Sequence, residues 1–214
     1  MSAADGLGRM IVVATSNPHK VDEIRAVLAG LGMRVVSLAD AGGAGIPEPE
    51  EDGETFAENA RIKAVAYARA LGATVLADDS GLEVDALGGA PGVHSARWAG
   101  RGATREERDA ANNERLLREL ALVPDERRGA RFVCTMCLAN AQGRVLAETR
   151  GEFSGVIGRN PRGSNGFGYD PLLIVGPDGL TSAEISTQEK NARSHRGAAT
   201  RAMAAALARH ATTM

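Results

Sequence analysis

The chain has 214 residues, 43% of them hydrophobic but only 3% aromatic, and a formal net charge of -2 at pH 7. That length suits one α/β domain, or two small lobes, with a mostly aliphatic core. The slightly acidic balance excludes a polyanion-binding surface spread over the whole molecule, so long nucleic acid is not an expected partner.

No apolar stretch approaches the roughly 20 residues that span a bilayer, and Met1 to Arg9 lacks the layout of a signal peptide. A flexible segment over 1–9, no membrane partner and a cytoplasmic setting are expected. Met10 to Ala14 is an apolar, β-branched run that predicts a strand. Thr15, Ser16, Asn17, Pro18, His19 and Lys20 break it, and Val21 to Leu28 has helical spacing. Cap-type residues ahead of a helix, with a lysine beside them, suit a phosphate; they also suit an ordinary capped helix with a solvated lysine. Gly30 to Gly32 ends the helix and Arg34 to Leu38 predicts the next strand, completing a β-α-β unit.

Five carboxylates crowd between Glu48 and Glu54. They lead into a helix predicted from about Thr55 to Leu71, where acidic groups suit the positive end of the dipole. Asn59 and Lys63 stand four apart on one stripe, a spacing that fits a cleft lining or an exposed helical pair.

Thr74 to Ala77 predicts a buried strand whose end delivers Asp78 and Asp79, and Gly81 is expected to turn the chain. Adjacent carboxylates on a strand point to opposite faces. They suit a hard cation, since Mg²⁺ takes one or two carboxylates and leaves room for water and phosphate; an Asx-type turn is the competing reading. His94 and Arg97 follow as candidates for substrate contact without an assigned role. Thr104 to Leu120 predicts a helix capped by Thr104, and Pro124 to Gly129 a charged connection.

Arg131 to Ala139, Arg144 to Arg150 and Glu152 to Ile157 read as consecutive strands, the first two joined by the hairpin signal Asn140 to Gly143. Cys134 and Cys137 fall inside the first of these. Residues three apart on a strand face opposite sides, so the pair is expected to be two buried structural thiols rather than a redox or zinc motif. Gly163 to Pro171 places Phe167 and Tyr169 among glycines beside Asp170. That pattern fits aromatic stacking on a purine, or a turn whose aromatics fold onto the core. Leu172 to Val175 predicts a strand, and Thr181 to Ala199 leads into a final helix reaching about Ala208. Ser194, His195 and Arg196 open that helix, where basic groups need an anion facing them.

Taken together, Ser16-Asn17 with Lys20, the acidic loop ending in Gly53-Glu54-Thr55-Phe56, Ala77-Asp78-Asp79-Ser80-Gly81-Leu82, Gly166-Phe167-Gly168-Tyr169-Asp170-Pro171 and Glu189-Lys190 to Ser194-His195-Arg196-Gly197 stand in one order. From about Ile11 to Leu207 the chain resembles the inosine triphosphate pyrophosphatase (HAM1-like) family. That resemblance implies an α/β fold: an elongated mixed β-sheet with flanking helices, and two lobes separated by a deep nucleotide-binding cleft, within a single domain over 1–214. It implies Mg²⁺-dependent hydrolysis of non-standard purine nucleoside triphosphates (XTP, ITP, dITP) to the monophosphate and pyrophosphate, and a homodimer.

By the same resemblance, Thr15, Ser16, Asn17, Pro18, His19 and Lys20 would hold the triphosphate. Glu51 and Asp79 would serve the metal, with Asp79 also the general base. Ser80, Phe167, Gly168, Tyr169, Asp170, Lys190, His195 and Arg196 would contact the nucleotide, Asp170 and the His195-Arg196 pair reading its 6-oxo edge. Glu50 and Asp52 flank Glu51, and a shift of one residue would exchange the ligand. A Maf-like pyrophosphatase and a non-catalytic purine nucleotide sensor are the competing readings.

Overall fold

The computed structural model describes residues 10–15, 18–28 and 32–212; Ser16, Asn17 and the segment 1–9 lie outside them. Among these residues six strands form one sheet: β1 (Met10–Val13), β2 (Arg34–Ser37), β3 (Val75–Val84), β4 (Gly129–Ala139), β5 (Val145–Ile157) and β6 (Leu173–Ile174). Their order is β2-β1-β3-β4-β5-β6. β1 runs parallel to both β2 and β3, whereas β5 and β6 are antiparallel. Among the described residues five α-helices accompany the sheet: α1 (Pro18–Leu28), α2 (Phe56–Leu71), α3 (Arg105–Glu119), α4 (Thr187–Arg193) and α5 (His195–Thr212).

The chain divides into two compact units, one of Met1–Asp79, Cys134–Gly151 and His195–Met214, the other of Ser80–Val133 and Glu152–Ser194. The divisions fall inside β3 and β4 and within β5, so each of these strands contributes residues to both units.

In the first unit the period of two along each strand sorts the core into two faces. Ile11, Val13, Leu76, Cys134, Met136 and Leu138 pack with Val21, Ile24 and Leu28 of α1 and Ala199, Met203 and Leu207 of α5. The alternate positions Val12, Val75, Ala77, Cys137 and Ala139 pack with Ala60, Ala64, Tyr67 and Ala68 of α2. Cys134 and Cys137 are thus buried free thiols in separate clusters, as the strand period requires.

α2 begins where expected. Thr55 Oγ1 accepts from the Glu58 N–H at 3.2 Å and Glu58 Oε2 accepts from the Thr55 N–H at 2.9 Å, a reciprocal capping box. α3 repeats the device with Thr104 and Glu107.

Three expectations are corrected. Gly81 does not turn the chain, because β3 continues through it to Val84. Its role is close approach: a Cβ there would stand 2.3 Å from Ser95 Oγ and 2.8 Å from the Gly92 carbonyl. Nor does Gly151 divide two strands, since β5 is continuous. A Cβ at Gly151 would meet the His195 carbonyl oxygen at 2.1 Å, so the glycine admits the start of α5. The strand predicted over Leu172 to Val175 shortens to β6.

The second unit packs Leu116 and Leu120, from α3 and its C-terminal cap, against Leu82, Val84, Phe132, Phe153, Ile157, Leu172 and Leu173. Arg128 of this unit is only 1% exposed. Its Nε donates to the Ile157 carbonyl at 2.7 Å, Nη2 to the Gly158 carbonyl at 3.0 Å and Nη1 to the Leu120 carbonyl. A buried guanidinium therefore has its donors taken up by three backbone carbonyls. Arg128→Met keeps the bulk and removes the donors; it should cost about 2–4 kcal/mol. The check is urea unfolding, with a lowered midpoint and an unchanged slope.

Candidate active site

The strand period that sorts the core also sorts the two carboxylates. Asp78 shares the parity of Leu76 and turns toward the face bearing α1 and α5. Lys20 Nζ lies 2.9 Å from Asp78 Oδ2, and Arg196 Nε lies 3.5 Å from the same oxygen. Burial alone would raise the Asp78 carboxyl pKa. The charges of Lys20 and Arg196 and the hydrogen bond from Lys20 outweigh burial, and the carboxyl is held well below its ordinary range. Cys134 lies against this carboxylate, and burial together with the Asp78 charge pushes its thiol up to about 12.

Asp79 shares the parity of Ala77 and turns toward α2. Asn59 Nδ2 donates to Asp79 Oδ2 at 3.2 Å, and Lys63 Nζ stands 3.6 Å from Asp79 Oδ1. The same ammonium is 3.1 Å from Glu51 Oε1 in the acidic loop. Asn59 Oδ1 in turn accepts from the Gly53 N–H at 2.9 Å, which ties that loop to α2. Lys63 is 9% exposed and Asn59 is fully enclosed, so the exposed helical pair is corrected to a buried one. Burial opposes the Lys63 charge, but Asp79 and Glu51 more than compensate and raise its pKa. Glu51 is half-buried while Glu50 and Asp52 are exposed, so Glu51 is the member of that trio joined to this cluster.

Among the described residues no group of three or more His, Cys, Asp or Glu side chains gathers as a metal cage. The cluster offers a pair of hard oxygen donors, Glu51 and Asp79, gathered around one ammonium. That set fits Mg²⁺, which needs one or two carboxylates and takes its remaining ligands from water and substrate phosphate. It fits no thiolate- or imidazole-seeking metal.

The second unit holds a separate constellation. Phe167 is 46% exposed, with the Arg105 guanidinium 4.2 Å from its ring centroid and Lys190 Nζ at 5.6 Å. Asp170 is buried, and its carboxylate is fully engaged. Oδ2 pairs with Lys190 and accepts from the Phe167 N–H at 2.8 Å, while Oδ1 accepts from the Ser182 hydroxyl at 2.8 Å. That carboxylate also fixes the position of Lys190, a hydrogen-bond donor. Tyr169 is also turned inward: its ring lies in the core and its hydroxyl donates to the Ser95 carbonyl at 2.9 Å. Gly168 is anchored by its N–H to Asp109 Oδ2 at 2.8 Å and by its carbonyl to Asn113 Nδ2 at 2.9 Å.

The other expected residues divide as follows. Thr15 is half-buried two residues beyond β1, and Ser80 is half-buried on β3. Pro18 and His19 open α1, their side chains lying outside the description, as do Ser16 and Asn17 altogether. His195 and Arg196 are buried at the start of α5. Sequence reasoning undervalued Lys63 and Asn59 and did not find Arg105 or Asp109. The i, i+4 spacing of Asn59 and Lys63 beside the alanine stripe of α2 was the available signal; nothing local distinguished Arg105 from the other charges of α3.

A sequence model of the Ham1 family matches residues 11–206. A relative named dITP/XTP pyrophosphatase from an Anaeromyxobacter species is 47% identical, the match covering 93% of this chain and 96% of that protein. A second of the same name, from Exiguobacterium sibiricum, is 51% identical over 92% of this chain and 96% of its own length. Among solved structures, a HAM1 protein from Coxiella burnetii superposes with a TM-score of 0.84 at 40% identity, covering 94% of this chain and 98% of that one.

The buried Asp78 cluster has a pH signature. A depressed carboxylate contributes stability that is complete above its unfolded pKa, near 3.9, and is lost as pH falls through the folded value. Asp78→Asn leaves Lys20 and Arg196 without their counter-charge and should cost about 3–5 kcal/mol near neutrality. Unfolding measured from pH 7 down to pH 3 should show a constant gap between variant and wild type above about pH 5, narrowing below about pH 4.

Proposed function

The chain belongs to the Ham1 family, and from that premise we propose that it hydrolyses non-standard purine nucleoside triphosphates, XTP, ITP and dITP, to the monophosphate and pyrophosphate. The observation that carries this reading is the Glu51–Lys63–Asp79–Asn59 cluster. It supplies two carboxylates for a hard cation and a buried ammonium for phosphate on one scaffold. Family membership also sets aside the Maf-like alternative.

In this reading the water oxygen forms a bond to the α-phosphorus, the bond from that phosphorus to the bridging oxygen breaks, and pyrophosphate leaves. When bound, Mg²⁺ polarises the phosphate oxygens and the attacking water. Asp79 accepts the proton of that water as the general base. Lys20 and Lys63 neutralise phosphate charge, concentrated locally because the molecule as a whole is slightly acidic.

Phe167 offers its exposed ring for stacking, and Lys190 donates toward a 6-oxo purine, which an adenine with its 6-amino donor does not match. Arg196 and His195 contribute from α5. Mg²⁺ as the ion, the homodimer, the cytoplasmic setting and a role in keeping these nucleotides out of DNA and RNA are parts of the same proposal. No described helix is long and apolar enough to cross a membrane.

Pyrophosphate release from XTP, ITP, ATP and GTP, with and without chelator, tests the reading. Fast, metal-dependent release from the first two and little from the others is expected. Asp79→Asn should lower turnover at least about 100-fold, the scale of a lost proton acceptor, with the thermal midpoint within a few degrees of wild type. Binding without turnover would instead make the protein a nucleotide sensor.

A further inference from the structure

We propose that Lys63 is a built-in stand-in for the divalent cation: its ammonium holds the Glu51–Asp79 pair until a metal–nucleotide complex arrives. The metal therefore enters with the nucleotide, not ahead of it. The inference rests on the proposed function only in taking Glu51 and Asp79 as metal ligands.

The geometry is specific. Lys63 Nζ lies 3.1 Å from Glu51 Oε1 and 3.6 Å from Asp79 Oδ1, with its side chain largely enclosed. Asn59, one helical turn earlier, fixes Asp79 through Oδ2 and the acidic loop through Gly53. Protein contacts alone thus arrange the carboxylates, and the ammonium stands between them where a cation would sit. A divalent ion entering alone would stand beside a fixed positive charge in a partly enclosed site, where repulsion is weakly screened. A triphosphate changes that balance, because its oxygens give the Lys63 ammonium an alternative partner as the metal takes the carboxylates. The long, flexible lysine stem permits such a transfer; a rigid donor would not.

Metal binding in the absence of nucleotide tests this independently of turnover. Mn²⁺ is the probe, titrated by electron paramagnetic resonance against wild type, Lys63→Met and Lys63→Arg. Lys63→Met should bind Mn²⁺ at least about tenfold more tightly than wild type, and Lys63→Arg, which keeps the charge, should stay near wild type. Saturating Mn²⁺ should also raise the thermal midpoint of Lys63→Met more than that of wild type, because the ion replaces the missing counter-charge.

Equal or weaker Mn²⁺ binding by Lys63→Met would overturn the proposal. So would a Lys63→Met chain that stays unfolded at saturating Mn²⁺, since the ammonium would then do something a divalent ion cannot. Failure of the pyrophosphate assay with the expected Mn²⁺ behaviour would overturn the activity and leave the charge replacement standing.

Discussion

The site depends on one constraint, that adjacent residues of a strand face opposite sides of a sheet. Asp78 and Asp79 are consecutive, so their carboxylates part company at once. One meets Lys20 of α1 and Arg196 of α5, the other Asn59 and Lys63 of α2. Helices on both faces of the parallel β2-β1-β3 portion make this possible, because each carboxylate finds a cationic helix residue on its own side. A sheet covered on one face would have left one of them to solvent.

Burying charge is costly unless it is paired and hydrogen-bonded, so these clusters are better understood as positioning devices than as sources of surplus stability. Lys20 lies in the first turn of α1 and Arg196 in the first turn of α5, where a helix dipole disfavours cations. Asp78 offsets that penalty and so holds two basic residues from distant parts of the chain at one oxygen atom. Basic groups at the start of α5 need an anion facing them, and at Arg196 an internal carboxylate is one.

The second unit uses the same device at a different scale. Asp170 is buried, and its two oxygens organise Lys190, the Phe167 backbone and Ser182. The glycine-flanked loop is therefore stiffened around a carboxylate, while the Phe167 ring remains available. Tyr169, two residues on, is committed to the core through Ser95, so the two aromatics of the motif have opposite duties. Under the proposed function, purine recognition would fall to an exposed ring and a lysine whose position a buried acid sets.

The sequence by itself determined the α/β class, the start of a helix near Thr55, the capped helix at Thr104, the opposed faces of Asp78 and Asp79, and the separation of Cys134 from Cys137. Each follows from a local period or a local hydrogen-bond pattern. Tertiary structure decided the rest. Gly81 and Gly151 read as breaks because a glycine's freedom is visible locally, whereas the neighbours that exclude a Cβ, Ser95 and His195, are remote in the chain. Lys63 read equally well as an exposed helical lysine because spacing shows which residues share a stripe, not what covers it. Glu51 is distinguished from Glu50 and Asp52 only by reaching that lysine. Partner identity across dozens of residues is a property of packing, and only the folded chain specifies it.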